Sequence, residues 1–141
     1  MGALRPPDRA TMHLSEPELA DIYRGYLACL NDQDWPHLGQ FVAHDVLHNG
    51  RPLGLAGYRE MLQRDHAAIP DLKFNIEMMT CDPPNVACKL AFDCTPTGEF
   101  MELPVNGKRV QFAETVFYEF RDGRIAEVWS SIDKATIAAQ L

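Results

Sequence analysis

Apolar and polar residues alternate with a period of two in several stretches of this chain and recur at helical spacing in others. The clearest alternation lies in VQFAETVFYEFRDGRIAEVWSSID, residues 110–133. Val110, Phe112, Glu114, Val116, Tyr118 and Phe120 fall on one face of a strand; Gln111, Ala113, Thr115, Phe117 and Glu119 take the other. Asp122-Gly123 interrupts the run and predicts a tight hairpin. Upstream, Leu72, Phe74, Ile76 and Met78 alternate with Lys73, Asn75, Glu77 and Met79. Pro83-Pro84-Asn85 turns the chain into a further strand carrying Val86, Cys88, Leu90, Phe92 and Cys94 on one face. Residues 43–49, AHDVLHN, read as a shorter strand, followed by a turn over 50–54.

The helical stretches come first. In Ser15-Glu16-Pro17-Glu18, a Ser N-cap, a Pro in the first turn and a Glu three residues after the cap announce a helix. Leu19, Ile22, Tyr23, Tyr26, Leu27 and Leu30 then repeat at helical spacing to about Asn31. Asp34-Trp35-Pro36 restarts a short helix. A third spans 55–69, with Leu55, Tyr58, Met61, Leu62 and His66 near one side and Pro70 as its stop. The Pro- and Gly-containing segment from Thr95 to Lys108 is a long connection, and a helical turn closes the chain. Residues 1–14 are aperiodic and predict a loose tail before a single domain over 15–141. Helices followed by a strand meander predict an α+β fold. The expected form is a strongly curved antiparallel sheet wrapped around three helices, enclosing a pocket. Glycines and bulges between Thr95 and Gly107 are expected to supply the bends.

Composition narrows the function classes. A chain of 141 residues with 46% hydrophobic and 23% charged residues can build one sizeable core. Its net charge of −7, with no Lys/Arg cluster, argues against a nucleic-acid partner. No run has the roughly 18 apolar residues of a membrane span, and no signal-peptide core is present near the start. A cytoplasmic protein without a membrane partner is the expectation. Cys29, Cys81, Cys88 and Cys94 show no metal-ligand spacing and read as small buried hydrophobes. Cys88 and Cys94 would stand roughly 20 Å apart along one strand, too far to bridge.

Within this pattern Glu114 is anomalous: a carboxylate at the centre of an apolar strand face. A buried carboxylate finds a partner or shifts its pKa upward. Glu114 is therefore a candidate acid or base, or a structural carboxylate held by an Arg or a hydroxyl. His48 shares a face with Val46 and is a candidate proton shuttle or a loop hydrogen-bonder. Asp133 either contributes to the pocket or caps the terminal helix. Trp129 is a pocket wall or core residue. Arg51 and Arg109 either pair with Glu114, grip an oxyanion, or lie on the surface. Tyr23, Tyr26, Tyr58, Phe92, Phe112 and Tyr118 are candidate lining or core. His13, His37, His44 and His66 read as surface or packing residues.

The C-terminal half resembles the SnoaL-like polyketide cyclases, or ester cyclases, of the nuclear-transport-factor-2-like superfamily. The resemblance rests on Thr97-Gly98-Glu99-Phe100, Leu103-Pro104 with Gly107-Lys108-Arg109, Asp122-Gly123-Arg124-Ile125, Trp129 and the Gln140-Leu141 ending. It extends weakly back to residue 15. It implies a cone-shaped α+β barrel, no metal or cofactor, and a homo-oligomer. The best-known members close a carbocycle by intramolecular aldol condensation; others in the superfamily isomerise, dehydrate, open epoxides or only bind ligands. The family's essential Asp on the last strand falls on Ser130 here, and its assisting His falls on Val116. The aldol residues therefore do not carry over position by position.

Together these observations predict a cofactor-free cyclase or isomerase acting by acid–base chemistry on a small, mostly apolar, oxygenated metabolite of polyketide or terpenoid type, in secondary metabolism. Glu114 and His48, with Asp133, would be catalytic. Tyr26, Arg51, Tyr58, Phe92, Phe112, Tyr118, Trp129 and Ser130 would contact substrate. The alternative is a non-catalytic small-molecule-binding module of the same fold. Ala113, Thr115 and Phe117 make an outer strand face too apolar for full solvation and predict a homodimer.

Overall fold

The computed structural model describes residues 13–141, so most of the expected N-terminal tail lies outside the described residues. Helix α1, Glu16–Asn31, opens with the capping box read from the sequence. The Ser15 hydroxyl accepts from the Glu18 amide at 3.2 Å, and the Glu18 carboxylate accepts from the Ser15 amide at 2.9 Å. Two of the amides that a helix start leaves orphaned are thereby satisfied. A 3-10 turn over Trp35–Gln40 leads into strand β1, Val42–His48. Helix α2, Gly54–Ala68, precedes β2, Asn75–Asp82, and β3, Asn85–Cys94. Strands β4, Val110–Arg121, and β5, Arg124–Ile132, form the predicted hairpin, and α3, Lys134–Ala138, ends the chain. Asp122 and Gly123 have φ of 52° and 77°, the two positive values that a type I′ turn demands.

The five strands form one sheet in the order β1-β5-β4-β3-β2. Its inner face carries Val110, Phe112, Val116, Tyr118 and Phe120 of β4 and Val86, Cys88, Leu90, Phe92 and Cys94 of β3, all buried. Leu19, Tyr23, Tyr26, Leu27 and Leu30 of α1 and Tyr58 and Leu62 of α2 complete the same core. Burying each such side chain stabilises the fold by about 1.5–3 kcal/mol relative to leaving it in water. Cys29, Cys88 and Cys94 are buried as expected, Cys81 is half-buried, and all four are free thiols.

The sheet departs from expectation in three respects. It is mixed, because β1 runs parallel to β5. Alternation specifies faces but not the direction of pairing, and the long passage through α2 and the β2–β4 meander delivers β5 alongside β1 in the same sense. It is open, with β1 and β2 as its two edges, where a cone-shaped barrel of curved antiparallel sheet was expected. Its irregularities lie between Ile76 and Met78, between Glu119 and Phe120, and between Val42 and Leu47, not between Thr95 and Gly107. The β2 irregularity turns Met78 outward, 63% exposed and opposite Lys89, and hands the inner face to Met79 and Cys81. One extra residue in a strand has that effect because side chains change face at every step.

Candidate active site

The inner face of the sheet and the two long helices enclose a cavity of about 220 Å³. Most of its wall is apolar: Met61, Leu62, Ile69, Leu72, Phe74, Phe92, Phe100, Phe112, Val116, Val128 and Ile132. The polar groups are Tyr26, His48, Tyr58, Asp65, Glu114, Tyr118 and Ser130; no Lys or Arg lines it. Phe100 comes from the 95–109 connection and lies 5.5 Å from the Phe112 ring.

Glu114 sits on β4 between Phe112 and Val116, with Leu90 of β3 and Ile132 of β5 as its cross-strand neighbours. Its carboxylate accepts a very short hydrogen bond from the Ser130 hydroxyl. Ser130 pairs in register with Val116, so it is diagonal to Glu114 on the same face and within reach. Burial pushes the Glu114 carboxyl up to about 7; the Ser130 hydroxyl pulls it down and the Asp65 carboxylate pushes it further up. Val116 and Ser130 are thus register partners, and the Glu114 carboxyl stands two residues from Val116 along β4.

Glu114 and His48, both expected to be catalytic, make no direct hydrogen bond; Ser130, diagonal to Glu114 in the ladder, donates to the carboxylate. His48 does line the cavity from the end of β1, and its Nδ1 is buried without a hydrogen-bond partner. Burial, and next the nearby Arg51 charge, lower its pKa, so the imidazole is neutral at neutral pH. Its ring lies 6.0 Å from that of Tyr58. The Tyr26 and Tyr58 hydroxyls are 2.7 Å apart, and Tyr23 donates to Tyr118 at 3.2 Å. Burial raises all four tyrosine hydroxyls well above their usual range and keeps them protonated donors.

Of the residues predicted to meet substrate, Tyr26, Tyr58, Phe92, Phe112, Tyr118 and Ser130 line the cavity, and two do not. Trp129 is on the opposite face of β5, 41% exposed and paired across the ladder with Phe117. Arg51 is exposed beyond the end of β1, joined to His48 through the backbone. Asp133, expected to be catalytic, is exposed and caps α3, accepting from the Thr136 amide at 3.1 Å and the Thr136 hydroxyl at 2.5 Å. Strand alternation sends it away from Ser130, and the free amides of a helix start hold it there. Arg109 forms a two-pronged pair with Asp93 on the surface, both contacts at 2.6 Å.

Two residues of the site escaped the sequence reading. Asn49, at φ 49°, accepts from the Ser130 amide at 2.8 Å and donates to the Ser130 carbonyl at 3.3 Å, fixing the backbone beneath the Ser130 hydroxyl. Asp65 stands on the cavity wall of α2. It is seven residues after Tyr58 and four after Met61, so the helical repeat that marked those residues also pointed to it. No three His, Cys, Asp or Glu side chains converge as a metal ligand set among the described residues.

The chain is an α+β domain whose helices and open sheet enclose a small, mostly apolar cavity with ionisable groups on its walls. The chain belongs to the SnoaL-like polyketide cyclase family: residues 20–141 match that family's model. A SnoaL-like polyketide cyclase from Agrobacterium tumefaciens C58 is 54% identical, with a TM-score of 0.86 over 86% of this chain and 96% of that one. IdmH from Streptomyces antibioticus (24% identity, TM-score 0.76, covering 87% and 97%) shares the fold. So does TsrD from Streptomyces laurentii (20%, 0.79, 91% and 97%). No curated protein matches the chain. No helix among the described residues is long and apolar enough to cross a membrane.

Proposed function

We propose that the protein is an acid–base cyclase or isomerase that moves a proton beside a carbonyl of a small, mostly apolar, oxygenated metabolite of polyketide or terpenoid type. The observation that carries this reading is Glu114: a carboxyl in an apolar cavity, held by one hydroxyl and poised near neutrality at about 7. A group whose pKa matches the working pH is the efficient proton-transfer agent. Glu114 exchanges the proton, and the neutral His48 imidazole contributes a polar edge to the same cavity. The tyrosine hydroxyls supply further donors to an oxyanion. The cavity, at about 220 Å³, is below the roughly 300–1,000 Å³ of common ligand pockets, which favours a substrate of one or two rings.

Deuterium uptake at the α-carbons of 2-tetralone in D₂O, followed by proton NMR, tests the reading with a neutral ketone of suitable size. The wild-type protein should accelerate uptake, and Glu114→Gln should slow it by roughly 100-fold or more with the melting temperature nearly unchanged. Unchanged uptake with altered stability would make Glu114 structural and favour a binding module instead. Ser130→Asp is the companion variant: aldol-type cyclisation gained there and absent in the wild type would mark the native protein as altered in reaction.

The oligomer belongs to the same reading. Met78, Phe117 and Trp129 are 63%, 52% and 41% exposed on the outer face of the sheet. Apolar surface of this kind favours a homodimer joined through that face.

A further inference from the structure

We infer that Asp65 is a second catalytic residue, the base that takes the proton beside the carbonyl, while Glu114 on the facing wall supplies a proton to the carbonyl oxygen. This deepens the proton-transfer reading above and rests on it.

The geometry supports two carboxyls with separate tasks. Asp65 projects from α2 and Glu114 from β4, and both line one cavity. The Asp65 side chain makes no hydrogen bond or ion pair with any described residue, although it is half-buried. An idle carboxyl in an apolar wall costs stability and has no structural return. Glu114, by contrast, is engaged by Ser130. The cavity offers no cation to neutralise both groups, so ionising one disfavours ionising the other. Asp65, pushed by burial to about 6, loses its proton first; its charge then helps hold the Glu114 proton to about 7. One carboxylate and one carboxylic acid is the favoured state between those values.

The step balances without a co-reactant. The α C–H bond breaks and its proton passes to the Asp65 carboxylate. The electron pair forms the carbon–carbon double bond of an enol as the carbonyl oxygen takes the proton from Glu114. Return of the protons in reverse order restores the starting groups; so does attack of the enol carbon on a second carbonyl of the same molecule, in which the enol oxygen gives its proton back to Glu114 and the new alkoxide oxygen takes the proton from Asp65.

The pH profile of 2-tetralone exchange separates this arrangement from one with Glu114 as base. The groups facing the pair are His48 from β1, Tyr26 from α1, Tyr58 from α2 and Tyr118 from β4, with Arg64 beside Asp65. Burial lowers the pKa of His48, which favours its neutral form, and the tyrosines stay protonated. With Asp65 as base and Glu114 as acid, the rate rises through about 6 and falls again above about 7. Asp65→Asn should lower the rate by roughly 100-fold and abolish the acid limb, while Asp65→Glu restores a measurable part of both. A rate that rises once through about 7 and then stays level, or an Asp65→Asn protein that keeps the wild-type rate and acid limb, would overturn the role of Asp65 and leave Glu114 as base. Failure of the wild-type protein to accelerate exchange would overturn both.

Discussion

The two faces of the central sheet treat the same side chain in opposite ways. Around the outside, carboxylates meet cations: Asp93 with Arg109 at 2.6 Å, Asp45 with Arg121 at 2.5 Å, Glu77 with Lys89 at 2.9 Å. Hydrogen bonds from Arg109 and Arg121 hold Asp93 and Asp45 below the ordinary carboxylate range. On the inside, Glu114 and Asp65 form no ion pair, no Lys or Arg lines the cavity, and burial pushes both up towards neutrality. Strand alternation decides which of the two fates a residue meets. Ala113 and Thr115 are one step from Glu114 in sequence and on the other side of the sheet in space. A carboxyl that costs stability inside is chemically useful because it stays near its midpoint at neutral pH; one outside is inert because it is always charged.

The contrast can be broken in several places. The largest effect is expected at the chemistry itself, in the roughly 100-fold losses described for Glu114→Gln and Asp65→Asn. Next comes the outer face. Phe117→Asp places a charge on the exposed apolar patch beside Trp129, and sedimentation should then report the monomer mass of 15.9 kDa in place of twice that value. A wild-type protein already monomeric at micromolar concentration would remove the dimer from the proposal.

A smaller effect belongs to the pH dependence of stability. The folded protein holds the Glu114 proton up to about 7, above the ordinary 4.5. Between those values the native state binds more protons than the unfolded chain, so stability declines as pH rises and stays lower above the window. Glu114→Leu removes that decline. Its stability relative to wild type should be higher at pH 8 than at pH 5 by on the order of 2 kcal/mol, read from thermal melts at the two values. An equal difference at both would mean that Glu114 is not held protonated. The smallest effect is expected outside: Asp93→Asn breaks the exposed Arg109 pair and should move the melting temperature by under about 2 °C.

The residues read well from sequence are those with local causes. The Ser15 capping box and the Asp122-Gly123 turn depend on neighbours within three residues, so their signals survive intact. The inward position of Glu114 follows from an unbroken alternation from Val110 to Phe120. Where the alternation breaks, the reading breaks with it: the irregularity near Glu77 moves Met78 to the outside, against its pattern with Leu72 and Phe74. The placement of Asp133 turned on whether a strand-end carboxylate prefers a pocket or a helix start, and the amides of α3 prevailed.

What the sequence determined by itself is the set of elements, the α+β class, and one carboxyl among apolar side chains. These rest on periodicity and short-range hydrogen bonding, which any stretch of chain carries within itself. The tertiary structure alone decided that β1 runs parallel to β5 and that Ser130 rather than His48 meets Glu114. Each of these depends on residues 16 or more apart meeting across strands, and no local pattern records who stands opposite whom.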